Sequence, residues 1–196
     1  NSAHIRNVPG RKSDVKDAEW IAGLLAHGLI EASFVPPVPI QEVRDLTRPR
    51  KQLTREQARH AQRIHKVLED ANIKLSSVLT DVMGVTGRQI VNAILEGHDD
   101  PATLAKFRNP RCKHSEQSFV DALTGIVTAH HRFLLRMHLT QYDAIGASIS
   151  SIEAELEQHL GPFREAEALL VTMPGVSATT AHVLIAEIGV DMTRFP

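Results

Sequence analysis

Eight positions constrain this chain more than anything else in it. Leu53, Gln57, Ala61, Ile64, Leu68, Ala71, Leu75 and Val78 follow one another by fours and threes, alternating from Gln57 onward, the spacing that lays a continuous seam along one side of a helix. The spacing predicts one long helix, ended by Gly84 and Gly87. A second long segment runs from Ser115 to Leu160, with Phe119, Leu123, Ile126, Val127, Phe133 and Leu134, then Ile145, Ile149, Ile152 and Leu156, as its apolar positions. Shorter helices are expected between them, around Arg88–Glu96 and Ala102–Phe107. Two long helices separated by a small helical insert imply an antiparallel hairpin or a dimerising coiled coil, and with the latter a homo-oligomer.

Upstream, Ala18, Ile21, Ala22, Leu24 and Leu25 recur at helical spacing, with Ser13 or Asp14 as the N-cap and Gly28 as terminator. Ala3 to Val8 reads as a strand feeding the Pro9-Gly10 turn. The run Phe34-Val35-Pro36-Pro37-Val38-Pro39 continues neither a helix nor a central strand and marks the clearest domain boundary. Pro49 is expected to interrupt the start of the long helix.

With 42% hydrophobic and 23% charged residues the composition is that of a globular protein, which excludes wholesale disorder. The formal charge of −1 argues against a polyanion partner only if charge is evenly spread, and it is not. Residues 44–66 carry eight basic side chains against Asp45 and Glu56, a net of +6, whereas residues 140–196 carry Arg164 and Arg194 against eight acids, a net of −6. The lone Cys112 excludes an intramolecular disulfide, and the N-terminus lacks the regions of a signal peptide, so an intracellular, cytoplasmic protein is expected. The longest uncharged run, Ala168 to Ala186, is broken by Pro174-Gly175 and reads as a helix–turn–helix rather than a membrane span. A chain that starts at Asn1-Ser2 and stops at Phe195-Pro196 is expected to be a piece of something longer.

Three features bear on chemistry. Asp14 and Asp17 lie three apart at a helix start, where their carboxylates share a face and can converge on one hard cation such as Mg²⁺; the same pair serves equally as an N-cap and a first-turn acid. Neighbouring Arg11, Lys12 and Lys16 suit a phosphate-bearing substrate. The Met173-Pro174-Gly175-Val176-Ser177 turn either exposes backbone N–H groups to a phosphate, through Gly175 and Ser177, or simply closes a core. Arg48, Arg55, Arg59, Arg63 and Lys66 recur every three to four residues or at multiples of that interval, a positive stripe able to hold a phosphate backbone without reading sequence, or a solvated helix face. His130-His131 and the Cys112/His114 pair lack the spacings of zinc sites.

The string Pro9-Gly10-Arg11-Lys12-Ser13-Asp14-Val15-Lys16-Asp17-Ala18-Glu19-Trp20-Ile21-Ala22, followed by Leu24 to Ile30 and Ser33-Phe34-Val35-Pro36-Pro37, resembles the DEDD transposases of bacterial insertion sequences, relatives of Piv-type DNA invertases. Leu46-Thr47-Arg48 to Leu53-Thr54-Arg55-Glu56, and Met173 to Ser177 with Ala186-Glu187-Ile188-Gly189, resemble that family's helical linker and C-terminal domain. The resemblance implies a mainly α chain holding the tail of an RNase H-like (RuvC-like) α/β domain over 1–38, a helical coiled-coil linker over 39–162 and the start of a transposase domain over 163–196. It implies Asp14 and Asp17 as catalytic and metal-binding acids for Mg²⁺, with the remaining two acids upstream of Asn1 and a nucleophilic serine downstream of Pro196. DNA would be the partner, with an element-encoded guide RNA in part of the family. The function expected is therefore that of a DNA transposase, although these residues alone should neither cleave strands nor bind Mg²⁺ tightly. Ser177 stands where related turns carry a second glycine, which weakens close phosphate approach. The alternative is a non-enzymatic helical module that binds nucleic acid through the 44–66 stripe and dimerises.

Overall fold

The computed structural model describes residues 17–30 and 35–194, and among these every regular element is a helix. The first, α1 (Asp17–Ala26), closes at Gly28, whose φ of 65° is cheap only for glycine. The amide of Leu29 reaches back to Leu24 O and that of Gly28 to Leu25 O, a Schellman closure.

A 33-residue helix, α2 (Val38–Asp70), forms the first arm of a hairpin. Pro37 is its N-cap and Pro39 lies in its first turn, where a missing N–H removes a donor that has no helical acceptor. The helix passes through Pro49 without ending, which corrects the expectation that this proline interrupts it. Neighbouring residues are held from outside the helix: Thr47 and Arg50 are buried, and Arg44 and Arg48 reach a distant helix end. Such contacts outweigh the roughly 3 kcal/mol that an interior proline costs.

The same helix ends at Asp70 rather than at Gly84 or Gly87. Asn72 takes φ 61° and Ile73 N bonds to Leu68 O, so the chain turns there, and Asn is among the few residues that tolerate this conformation. Leu75 and Val78, the last two seam positions, are buried but lie in a 3-10 turn (Leu75–Ser77) and at its cap.

The insert that follows contains α3 (Val85–Leu95), α4 (Pro101–Ala105) and α5 (Glu116–Ala122). Asp100 and Ser115 cap the last two by accepting the amides of Thr103 (2.9 Å) and Ser118 (3.1 Å). The expected continuous segment from Ser115 to Leu160 is broken between α5 and α6 (Ala129–His159). At that break Ile126 N bonds to Ala71 O, and a Cβ on Gly125 would lie 2.3 Å from the same carbonyl oxygen. Thr128 then opens α6 with a capping box, accepting from His131 N while its own amide donates to His131 Nδ1, both at 3.3 Å.

The second arm, α6, runs antiparallel to α2. Glu42 meets His159, Arg50 meets Glu153, Gln57 meets Tyr142 O, and His60 meets His138, so one number falls as the other rises. Beyond α6 a 3-10 turn (Gly161–Phe163) leads into α7 (Arg164–Val171), a Pro174-Gly175 turn and α8 (Ala178–Ile188), which packs on the start of α2.

Apolar burial falls into two clusters. One joins the end of α2 to the insert and the start of α6, through Ile64, Leu68, Ile73, Ile90, Ile94, Phe119, Leu123 and Leu135. The other joins the start of α2 to the end of α6 and to α8, through Ile40, Val43, Leu156, Leu160, Phe163 and Ile185. Between them no apolar side chain is fully buried and the arms are closely spaced: Gln57 Nε2 donates to Tyr142 O, and a Cβ on Gly146 would come within 2.8 Å of that amide nitrogen.

No strand occurs among the described residues, so the RNase H-like α/β expectation is corrected to an all-helical bundle. The apolar residues of 38–70 are spent on helix–helix contacts, leaving no alternating run there to build a sheet edge. The strand expected at Ala3 to Val8 lies outside the described residues.

Candidate nucleic-acid interface

Along α2, Arg55, Arg59, Arg63 and Lys66 lie within an arc of about 80° at 100° per residue, and span roughly 16 Å at 1.5 Å per residue. All four are exposed, on the side of the helix turned away from Ile64, Leu68 and Gln57. None makes an ion pair with a carboxylate among the described residues, and exposed Lys51 extends the same face by a turn. An unpaired guanidinium row keeps its donors free for the oxygens of a phosphate chain.

Arg48, expected to belong to this stripe, is engaged elsewhere. Its Nε and Nη2 donate to both carboxylate oxygens of Glu187 at 2.9 Å, and that hydrogen bond is the main reason the Glu187 carboxyl is held below the usual carboxylate range. Arg44 donates to the carbonyls of Ala186 and Glu187 at 2.8 and 3.0 Å, satisfying the C-terminal end of α8. The two ends of the basic segment thus differ: its first arginines fasten α8, and its last four cations face outward.

Gly175 and Ser177 lie in the turn between α7 and α8 and are not brought to this face. Asp14, Arg11 and Lys12 lie outside the described residues. Asp17 is the first residue of α1. Among the described residues no group of three or more His, Cys, Asp or Glu side chains is placed to hold a metal ion. Gly175 takes φ 85° in a turn closed by Val176 N to Met173 O at 3.1 Å, while Ser177 Oγ accepts Thr180 N at 3.2 Å as the N-cap of α8. Both residues have structural work in that turn. The sequence reading weighed His114 only as a zinc ligand and overlooked Arg111 and Lys113, whose signal was a stretch from Pro101 to Ser115 with four basic residues and no acid.

The geometry defines a helical hairpin with a cationic outer face. In comparisons with known proteins, a family model, DEDD_Tnp_IS110, described as a transposase, matches residues 1–73. No curated protein and no solved structure matches the chain. The match covers well under half of the chain, and its described part consists of α1, α2 and their connections, with no strand. Identification as an internal fragment of a DEDD transposase with a RuvC-like domain is accordingly corrected to a local similarity over residues 1–73. The expected catalytic function and enzyme class are corrected with it, since the described residues supply neither a sheet scaffold nor a metal cluster for a nuclease centre. No helix of the described residues is long and apolar enough to cross a membrane.

Proposed function

We propose that this chain is a non-catalytic helical module that holds a nucleic-acid backbone, DNA or RNA, along the outer face of α2, and that it works in the cytoplasm. One observation carries this: Arg55, Arg59, Arg63 and Lys66 are aligned, exposed and without carboxylate partners among the described residues. A helix that needed charge only for solubility would gain from interleaved acids at i±4. Here Glu56 is the sole acid between Lys51 and Lys66. Binding of this kind positions a polyanion without reading its sequence, and its affinity falls with salt as condensed counterions are released.

Self-association belongs to the same proposal. Because the seam residues Ile64 and Leu68 are buried within the chain's own core, a second copy would meet another surface, and Leu169, Met173 and Val190 are exposed around α7 and α8. No metal enters the proposal.

The test replaces Arg55, Arg59 and Arg63 with Gln and measures affinity for duplex DNA and for RNA over a range of salt. Loss of three phosphate contacts lowers the slope of log K against log salt by about 2 to 3. Unchanged affinity and slope for both nucleic acids would refute the assignment.

A further inference from the structure

The insert carries a second concentration of positive charge, remote in sequence from the stripe. Lys106, Arg108, Arg111 and Lys113 fall in an acid-free stretch from Pro101 to Ser115. Part of that stretch faces residues 76–80 across an open cavity of about 420 Å³, into which Ser76, Ser77, Thr80, Arg111, Lys113 and His114 contribute. No carboxylate lines it.

The walls are built rather than loose. Arg108 Nη1 donates to the carbonyls of Asn109, Cys112 and His114 at 3.3 to 3.5 Å, gathering the loop around one guanidinium. Asn109 Oδ1 accepts the amide of Arg111 at 2.9 Å, and Cys112 Sγ donates to Val78 O at 3.8 Å, linking one wall to the other. Arg108 is thereby consumed in holding the loop, whereas Arg111 and Lys113 are exposed and have no ion-pair partner among the described residues. Two acids stand near these walls: Glu69 accepts from Ser76 Oγ at 3.5 Å and is itself paired with Lys74, and Asp81, next in the chain to Thr80, accepts the amide of Met83 at 2.8 Å.

We propose that this cavity binds a phosphate ester group. One or two negative charges on a phosphate suit two unpaired cations: a guanidinium offers a planar fork, an ammonium adds a point charge, and the hydroxyl of Thr80 can donate to a remaining oxygen, whereas those of Ser76 and Ser77 already donate to Glu69 and to Lys74 O. The assignment is independent of the α2 stripe and stands or falls without it.

The experiment is an amide NMR titration of the full chain, with inorganic phosphate in one arm and a short oligonucleotide lacking terminal phosphates in the other. Saturable shifts at residues 76–80 and 111–114 are expected in at least one arm. Saturation by inorganic phosphate identifies a free phosphate group as the source, and saturation by the oligonucleotide alone identifies a backbone phosphodiester. The double variant Arg111→Gln/Lys113→Gln should weaken that binding by about tenfold or more. His114→Gln serves as a second variant if the double variant does not fold. The stripe variant carrying Gln at 55, 59 and 63 should leave the phosphate titration unchanged, which separates the two sites. Absence of shifts in both arms, or a double variant that folds and titrates like the parent, overturns the proposal.

Discussion

His60 and His138 face each other across the middle of the hairpin, ring centroids 5.4 Å apart, each with a buried Nδ1 that has no hydrogen-bond partner. Burial lowers the pKa of His138, and the nearby His60 and Arg63 push it the same way. The folded protein therefore favours the neutral ring. Its contribution is complete above the unfolded value of about 6.5 and declines as pH falls from there through the lower folded value. Denaturation midpoints should drop as pH falls below about 6.5, and His138→Gln should shallow that decline. An identical decline in the variant would remove His138 as the cause. A separate acid window belongs to Glu167, whose carboxyl is lowered first by its 2.7 Å hydrogen bond with His182 and further by Arg164. That stability is present above 4.5, the ordinary value of the carboxyl, and is lost only as pH falls further.

At the scale of elements, Pro49 is the clearest test of what sustains α2. A helix that continues through a proline because its flanks are anchored elsewhere should gain when the strain is relieved. Pro49→Ala is expected to raise thermal stability, by up to about 3 kcal/mol, without moving Arg44 or Arg48 from α8. A variant no more stable than the parent would mean that the local backbone has already relaxed around the ring. The seam from Leu53 to Ala71 was legible because helical period is local, and Ile64 and Leu68 are buried where the spacing puts them. The ends of the long elements were not legible. Asn72 turns the chain early, and Gly125 is fixed by a carbonyl more than fifty residues away, at Ala71. Leu75 and Val78 illustrate the difference: their burial follows from their chemistry, but their path does not. The candidate interface divides the same way. Arg55, Arg59, Arg63 and Lys66 follow from spacing alone, whereas the loss of Arg48 to Glu187 depends on a fold that brings residues 139 apart into contact.

Across the whole molecule, the opposed charges of the two segments partly meet. Arg44 and Arg48 bind α8, Arg50 lies 3.9 Å from Glu153, and the surplus is what remains on the outer face. The two apolar clusters lie at opposite ends of the hairpin, with polar contacts between them. Truncating Phe119 should loosen the insert end, and truncating Phe163 the α7–α8 end, each by about 3 to 5 kcal/mol when measured locally. Hydrogen exchange should register each loss mainly in its own half, and equal loss of protection throughout would show instead a single cooperative unit. The middle, with its glycine approach at Gly146 and no fully buried apolar side chain, keeps the arms in register while contributing less apolar adhesion than either end.

Because α2 and α6 run the full distance between those ends, the bundle is also a spacer. Thirty-three helical residues set a separation of about 50 Å, close to one and a half turns of a DNA duplex. Whatever engages the loops beyond Asp70 is kept at arm's length from whatever engages α8. Inserting or deleting whole turns in both arms together would change that distance while sparing both ends, so the hairpin behaves as a rigid gauge whose length is written in the helix count.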